Sequence, residues 1–414
     1  MTSSVDLTPR LGCATSYTAL IYYWDRRYQQ LSYYTTLTGL MEITWERVLD
    51  DYSECRLRFR PRNGDDCCHK LKPVYNASGE LIEPGLQPWA HELTLYRDGD
   101  LVWAGPVFSI DEEVMPDEST DHIQIVARDF LGWLDRRVIH DDLYFNDQTY
   151  DLSYIAQQII LSGLRHDDLG LPQYMHVVPS NRKRKWSVRH WEARVGEELR
   201  EIARLGLDFT SVGRRIYIKG PRYEGESTPV LRTRDFLAGI EIRVVGAEAA
   251  TAGVAVGATP EPDPDDPDPP PIEDIPPHKS YWPKGGPADA VDPFYGLIEN
   301  WSRSESVKDE GYLEWIASQK VAEGYPPPLT LSVPSGSGLA ATAPVSIHQL
   351  VPGTYFTILV QGMCRSIAQH MRLSQVRVIW RSDQPEEVGV SFIPANVLDD
   401  NPDEDDEDDG EDSS

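Results

Sequence analysis

Cys67-Cys68-His69 sets two thiols and an imidazole side by side, the donor types of a zinc site. A structural zinc ion needs four converging nitrogen or sulfur ligands, and no second pair stands at finger-like spacing, so no metal is expected there. Pairing of Cys55 with Cys67 or Cys68 in an oxidising medium stays geometrically open. Two other runs, His140-Asp141-Asp142 continuing to Asn146-Asp147, and His166-Asp167-Asp168, supply imidazoles and carboxylates. Neither forms a zinc-protease helix or a calcium loop with its central glycine, and both read as solvated loops. Among 67 acidic residues some carboxylate pair must arise by chance, so a glycosidase-like pair carries no information. Ser335-Gly336-Ser337-Gly338 is half of a phosphate-cradling loop, without the Lys-Ser/Thr that completes one, and no nucleophile-elbow Gly-x-Ser-x-Gly occurs. The one basic cluster with interleaved aromatics is Arg182-Lys183-Arg184-Lys185, followed by Trp186 and Trp191. That composition suits nucleic-acid contact, although in acidic surroundings it reads first as a solvated loop. No catalytic residue, cofactor or metal is therefore expected.

The elements behind these residues are mostly strands. Thr18–Trp24 and Leu31–Thr38 are rich in Tyr, Thr and β-branched residues around a polar Asp25-Arg26-Arg27, which predicts a hairpin. Leu57–Arg60, Glu92–Arg97 and His122–Ala127 are further strands, and Asp98-Gly99 marks a tight turn. Gly105-Pro106 is expected to end a strand where the chain turns. Phe130, Leu131, Trp133 and Leu134 fall on one side of a short helix that Asp129 can cap. Helical spacing follows in Leu152, Ile155, Ile159 and Ile160 behind Asp151, and again over Glu192–Leu205, where Gly206 supplies the stop. Leu207–Thr210 and Ile216–Lys219 flank Ser211–Arg215 as another hairpin. Beyond a helix over Tyr312–Ala322, strands return at Leu329–Val333, Tyr355–Val360, Gln375–Arg381 and Val388–Ile393, with Pro352-Gly353 as a turn. No period of 20–50 residues recurs, which excludes a solenoid or propeller.

A length of 414 residues predicts two or three domains. Of the net charge of −28, residues 399–414 and the proline-rich run 258–279 together carry −17, so the remainder is only mildly acidic. Sequence-independent binding to nucleic acid is disfavoured by this balance. Five cysteines are too few for a disulfide framework in a chain of this length, and a reducing compartment fits them better. The first residues show no secretory signal, the sequons at Asn76 and Asn300 then count as chance, and no window reaches the length of a membrane span.

Several stretches together resemble the hub-type minor tail proteins of long-tailed bacteriophages (siphoviruses) of actinobacteria, themselves similar to the baseplate hub of contractile tails. They are Ile43–Tyr52, which holds Trp45 and Arg47; Trp89–Gly99 running into Val102–Val107, with Trp103, Gly105 and Pro106; and Ala127–Arg137, with Arg128, Asp129, Trp133 and Arg137. Downstream, Glu198–Phe209 leading into Gly213–Ile218 and Leu350–Gly353 with Met371–Leu373 follow the same order. The resemblance covers roughly residues 12–396. It implies a mainly β chain with an α/β insertion: two tail-tube-like β-barrel domains plus a middle α/β domain. On this reading the N-terminal barrel spans 1–138, the α/β domain with its helix and hairpin 139–245, a Pro/acid-rich linker or exposed insertion 246–285, a C-terminal helix and barrel 286–398, and a disordered acidic tail 399–414. It also implies a homotrimer at the tail tip, assembled in the host cytoplasm, that joins a sixfold tail tube or distal tail protein to threefold tip or fibre proteins. The tape-measure protein and phage DNA would pass through its channel, with Arg182–Lys185 as channel or nucleic-acid contacts. Trp45, Arg47, Trp103, Gly105, Pro106, Arg128, Asp129, Trp133, Arg137, Pro352 and Gly353 are its structural or interface candidates. The competing readings are a tail-associated enzyme that degrades cell wall or glycan, and a glycan-binding tip module built on some of the 11 Trp and 20 Tyr.

Overall fold

The computed structural model describes residues 9–62, 64–114, 121–221, 228–244, 246, 249–260, 276–303, 310–325, 329–332, 334, 337–362 and 366–394. Residues 261–275 of the proline-rich run, and the acidic tail 399–414, lie outside them.

Antiparallel strands open the chain. β1 (Tyr17–Asp25) and β2 (Gln30–Leu37) form the expected hairpin, and the Asp25 carboxylate holds its turn by accepting from the amides of Arg27 and Tyr28 (2.9 and 3.2 Å). β3 (Leu40–Val48) alternates, with Ile43, Trp45 and Arg47 fully buried, and pairs with β4 (Glu54–Phe59). A short helix α1 (Asp66–Leu71) and the small ladder β5 (Val74–Tyr75) and β6 (Leu81–Glu83) follow. β7 (His91–Arg97) and β8 (Asp100–Glu113) meet at Asp98-Gly99, whose φ angles of 51° and 92° are those of a type I′ turn.

β8 does not end at Gly105-Pro106 as the sequence suggests. The strand, 14 residues long in all, changes neighbour there and runs on to Glu113, pairing with β7 up to Pro106 and with β9 (His122–Arg128) from Val107 onward. Proline is tolerated where a ladder is handed from one neighbour to the next. Glycine is needed because the backbones cross: a Cβ on Gly105 would lie 2.0 Å from the Arg128 carbonyl oxygen.

After α2 (Phe130–Leu134) comes β10 (Leu143–Asp151), then α3 (Leu152–Leu164), β11 (Met175–Val177), β12 (Lys183–Val188), α4 (Val195–Arg204), β13 (Asp208–Val212) and β14 (Arg215–Lys219). Ile155, Ile159, Leu199, Ile202, Phe209 and Ile216 bury their side chains in one cluster with Phe130 and Leu134. Two runs read as loops hold strands here: residues 143–147 of the first lie in β10, and the basic run at 183–185 lies in β12, which pairs with β10. Charged side chains hid the period of two. Lys183 and Lys185 point outward while Arg184 and Trp186 are half-buried.

β15 (Val230–Arg232) precedes a compact second unit (Glu241–Ser332). Its ends are tied by β16 (Glu241–Val244) against β20 (Leu329–Ser332). Between them, β17 (Ala252–Val256) lies between β18 (Lys279–Trp282) and β19 (Glu299–Arg303), and α5 (Glu310–Gly324) packs Leu313 and Ala317 on Ala255. β21 (Tyr355–Gln361), β22 (Ser366–Arg381) and β23 (Gln384–Pro394) return to the first unit (Met1–Ile240 with Val333–Ile393). There an 11-stranded sheet runs β15-β21-β22-β3-β4-β9-β8-β7-β1-β2, with β23 also on β22. β22 is shared like β8, its first half on β21 and its second on β3. The chain is thus mainly β, and its sheet interleaves strands from both ends of the sequence.

Candidate functional site

Among the described residues no group of three His, Cys, Asp or Glu side chains could hold a metal ion. A groove of about 710 Å³ beside β15 is lined by Arg232, Arg234, Leu359, Gln361 and Ser366, and no carboxylate, imidazole or thiol is among its described lining residues. The two His-Asp-Asp runs touch through their histidines, while carboxylates of each bind other groups. His140 and His166 stack edge to face at 4.9 Å, Asp142 takes His190 Nδ1 at 2.7 Å, and Asp167 takes Arg26 at 2.7 Å. Among the described residues, neither run aligns a nucleophile with a base.

Charged side chains inside the first unit instead lock distant segments together. Glu386 on β23 receives Arg97 of β7 (2.6 Å), the Tyr17 hydroxyl of β1 (2.5 Å) and the Ala14 amide (3.0 Å). The Trp45 indole donates to that same hydroxyl at 3.1 Å, and Arg97 also reaches the carbonyls of Leu11 and Gly12. Burial, reinforced by Glu386, pushes the Tyr17 phenol far above its ordinary range, so it acts purely as a hydrogen-bond group.

Arg47, two residues along β3 from Trp45 and facing it at 5.1 Å, is fully buried, with no carboxylate bonded to it among the described residues. It donates to the carbonyls of Ile347 (3.0 Å), Leu350 (2.9 Å) and Val102 (2.8 Å), and burial lowers its pKa to about 10. A guanidinium spans three carbonyls in this way because its donors form a rigid planar fork.

Asp129 caps α2 through the Gly132 amide (3.0 Å). Its other oxygen accepts from the Ser53 amide and hydroxyl (3.0 and 2.8 Å) and from the Ser211 hydroxyl (2.9 Å), while Trp103 donates to Ser53 at 3.2 Å. Burial outweighs these donors and pushes the carboxyl up to about 6. Arg128 beside it binds Glu54 at 3.1 Å and lies 3.9 Å over the Phe108 ring. Trp133 is buried under Arg137, which donates to the Gly163 carbonyl at 3.0 Å. At Pro352-Gly353 the glycine carbonyl accepts from Lys219 (3.0 Å), next to Asp208, which Arg372 binds at 2.8 Å. Asp50, bonded to the Phe209 amide at 2.9 Å, is raised to about 7 by burial and by Asp208.

Most of the sequence-derived candidates thus meet in the interior, not on a face of the single chain. Arg182–Lys185 lie apart from them: Arg182 donates to the Leu205 carbonyl at 3.2 Å, and Lys183 and Lys185 face solvent. Sequence reasoning missed Arg97, Glu386 and the buried Glu92–Arg214 pair, whose arginine also lies over the Phe130 ring. Glu386 was readable, since it stands in phase with the buried Val388 and Val390 on one strand face. Arg214 was not, because it sits at a hairpin tip where charge is ordinary.

No protein-family model and no curated protein matches the sequence. Solved structures do. The 43 kDa tail protein of prophage MuSo2 from Shewanella oneidensis is similar over 92% of this chain and 99% of its own, with 13% identity and a TM-score of 0.54. A tail protein from Neisseria meningitidis MC58 is similar over 91% of this chain and 97% of its own, with 12% identity and a TM-score of 0.51. At such identities the likeness concerns backbone architecture alone, and in that architecture this chain is similar to these two tail proteins.

Proposed function

We propose that the protein is a structural component of a bacteriophage tail, the hub of the tail tip. The carrying observation is a fold shared with two tail proteins over nearly their whole length. Strands from both ends of the sequence closed into one sheet, and the buried charges that cross-link them, suit a part that bears load without turning over a substrate. In this reading three copies surround a channel for the tape-measure protein and DNA, joining a sixfold tube or distal tail protein above to threefold tip proteins below. In the same reading each copy supplies two tube-like barrels and a middle α/β domain, and the phage is a siphovirus of actinobacteria, a choice that the resemblance of its segments supports. It is assembled in the host cytoplasm, resides at the virion tail tip and takes part in attachment and DNA ejection, with Lys183 and Lys185 facing the passing DNA.

The test is the solution mass by light scattering at several concentrations and salt levels. A mass near 140 kDa, three copies of the 46.8 kDa chain, is expected. A 46.8 kDa species at every concentration, coupled with release of reducing ends from host cell walls, would replace the hub with an enzyme.

A further inference from the structure

In the second unit, α5 covers one face of the β18-β17-β19 sheet, and the two faces can be told apart. A Cβ on Gly253 would meet the Ala317 carbonyl oxygen at 1.9 Å, and Ala255 packs with Leu313 and Ala317. Successive residues of a strand point to opposite faces, so the face turned away from the helix carries Val254, Val256, Lys279, Tyr281, Glu299, Trp301 and Arg303. Register places Tyr281, Val254 and Trp301 in one row across the three strands. The Tyr281 hydroxyl donates to Glu299 Oε1 at 3.1 Å, two residues along β19 from Trp301, so its ring lies across β17 rather than standing off it. Ala252, paired with Glu299, is fully buried. At the other end of the row Trp301 is 61% exposed. Large aromatic side chains are mostly buried in stable cores, so one left open beside a fixed tyrosine invites a partner.

We infer that this row is a carbohydrate-binding platform for a short stretch of neutral polysaccharide, a reading that does not depend on the tail assignment. Sugar rings offer C–H faces that stack on aromatic rings and hydroxyl edges that need donors and acceptors. Tyr281 and Trp301 supply the first, Lys279, Glu299 and Arg303 the second. Two strand spacings separate the aromatic positions by about 10 Å, the reach of roughly two sugar rings. Three strands of about five residues make a face of about 14 by 17 Å, on the order of 240 Å², against roughly 800 Å² per partner in a stable protein interface. A nucleic acid would need a continuous basic groove, whereas this face is small and mixes Lys279 and Arg303 with Glu299.

Affinity electrophoresis of the full chain in native gels containing hydroxyethyl cellulose, arabinogalactan or glycol chitin tests the assignment. At least one polymer is expected to retard the wild type. Trp301→Ala and Tyr281→Ala should each weaken that retardation about tenfold in apparent Kd, since truncating an anchor aromatic has effects of this order. Trp191→Ala, which removes an exposed tryptophan of the first unit, should leave it unchanged. Circular dichroism matching the wild type keeps a folding defect from passing for lost binding. No retardation in any of the three gels, or equal retardation of wild type and Trp301→Ala, overturns the proposal. Loss of tail assembly in Trp301→Ala without retardation of the wild type would assign the face to a protein partner instead.

Discussion

The two units solve the problem of a β-rich core in opposite ways. The first buries large aromatics and charge together: Trp45, Trp103, Phe130 and Phe356 are as buried as Arg47, Asp129 and the Arg97–Glu386 pair. In the second, Ala255, Leu313 and Ala317 form the core, while Phe294 and Trp301 stay outside, 89% and 61% exposed. Buried charge gives little net stability but penalises every arrangement that leaves it unpaired. The first unit is therefore specified for one geometry, whereas the second places its aromatic surface where a ligand can reach it.

The sharpest way to break this contrast is Glu386→Ala. It strands Arg97 in the interior and should cost about 3–5 kcal/mol, read as a fall in the urea midpoint of the first unit. A loss below about 1 kcal/mol would mean that the pair is not a lock. Leu313→Ala should cost about 2–4 kcal/mol through a cavity, and calorimetry should show only the second unit's transition moving. If both transitions shift together, the units do not unfold independently.

A smaller effect concerns pH. Asp50 and Glu92 are raised to about 7 and Asp129 to about 6, each chiefly by burial. Their folded forms hold protons more tightly than the unfolded chain, so the stability they contribute is full below about pH 4 and is lost as pH rises toward 7. Asp50→Asn, which keeps an oxygen for the Phe209 amide, should flatten that slope and gain on the order of 1 kcal/mol at pH 8. An unchanged slope would remove Asp50 from the account. Smallest of all, Trp301→Ala and Phe294→Ala should change stability by less than about 0.5 kcal/mol. A larger loss would place those rings in the core after all.

Local structure was legible where one residue type forces one geometry. Asp98-Gly99 dictated its turn, Asp151 and Gly206 bounded helices, and Asp129 capped α2. Partner choice was not legible. Nothing near Gly105 shows that β8 will leave β7 for β9, and nothing near Arg47 shows that carbonyls some 300 residues onward will receive it. Such pairings are set by the whole sheet, and local patterns carry no record of them. The basic run at 183–185 failed differently, because exposed lysines masked the alternation of an ordinary strand.

β3 takes its partner from residues made more than 300 positions later, with Val48 opposite Gln375 and Glu42 opposite Arg381. During synthesis one edge of the N-terminal sheet therefore stays open until β22 has left the ribosome, and closure across so long a loop is slow. An open edge is also what aggregation and quality-control systems engage. A product terminated before Ser366 can never cover β3, so the sheet itself distinguishes truncated copies from finished ones before any of them reaches an assembling particle.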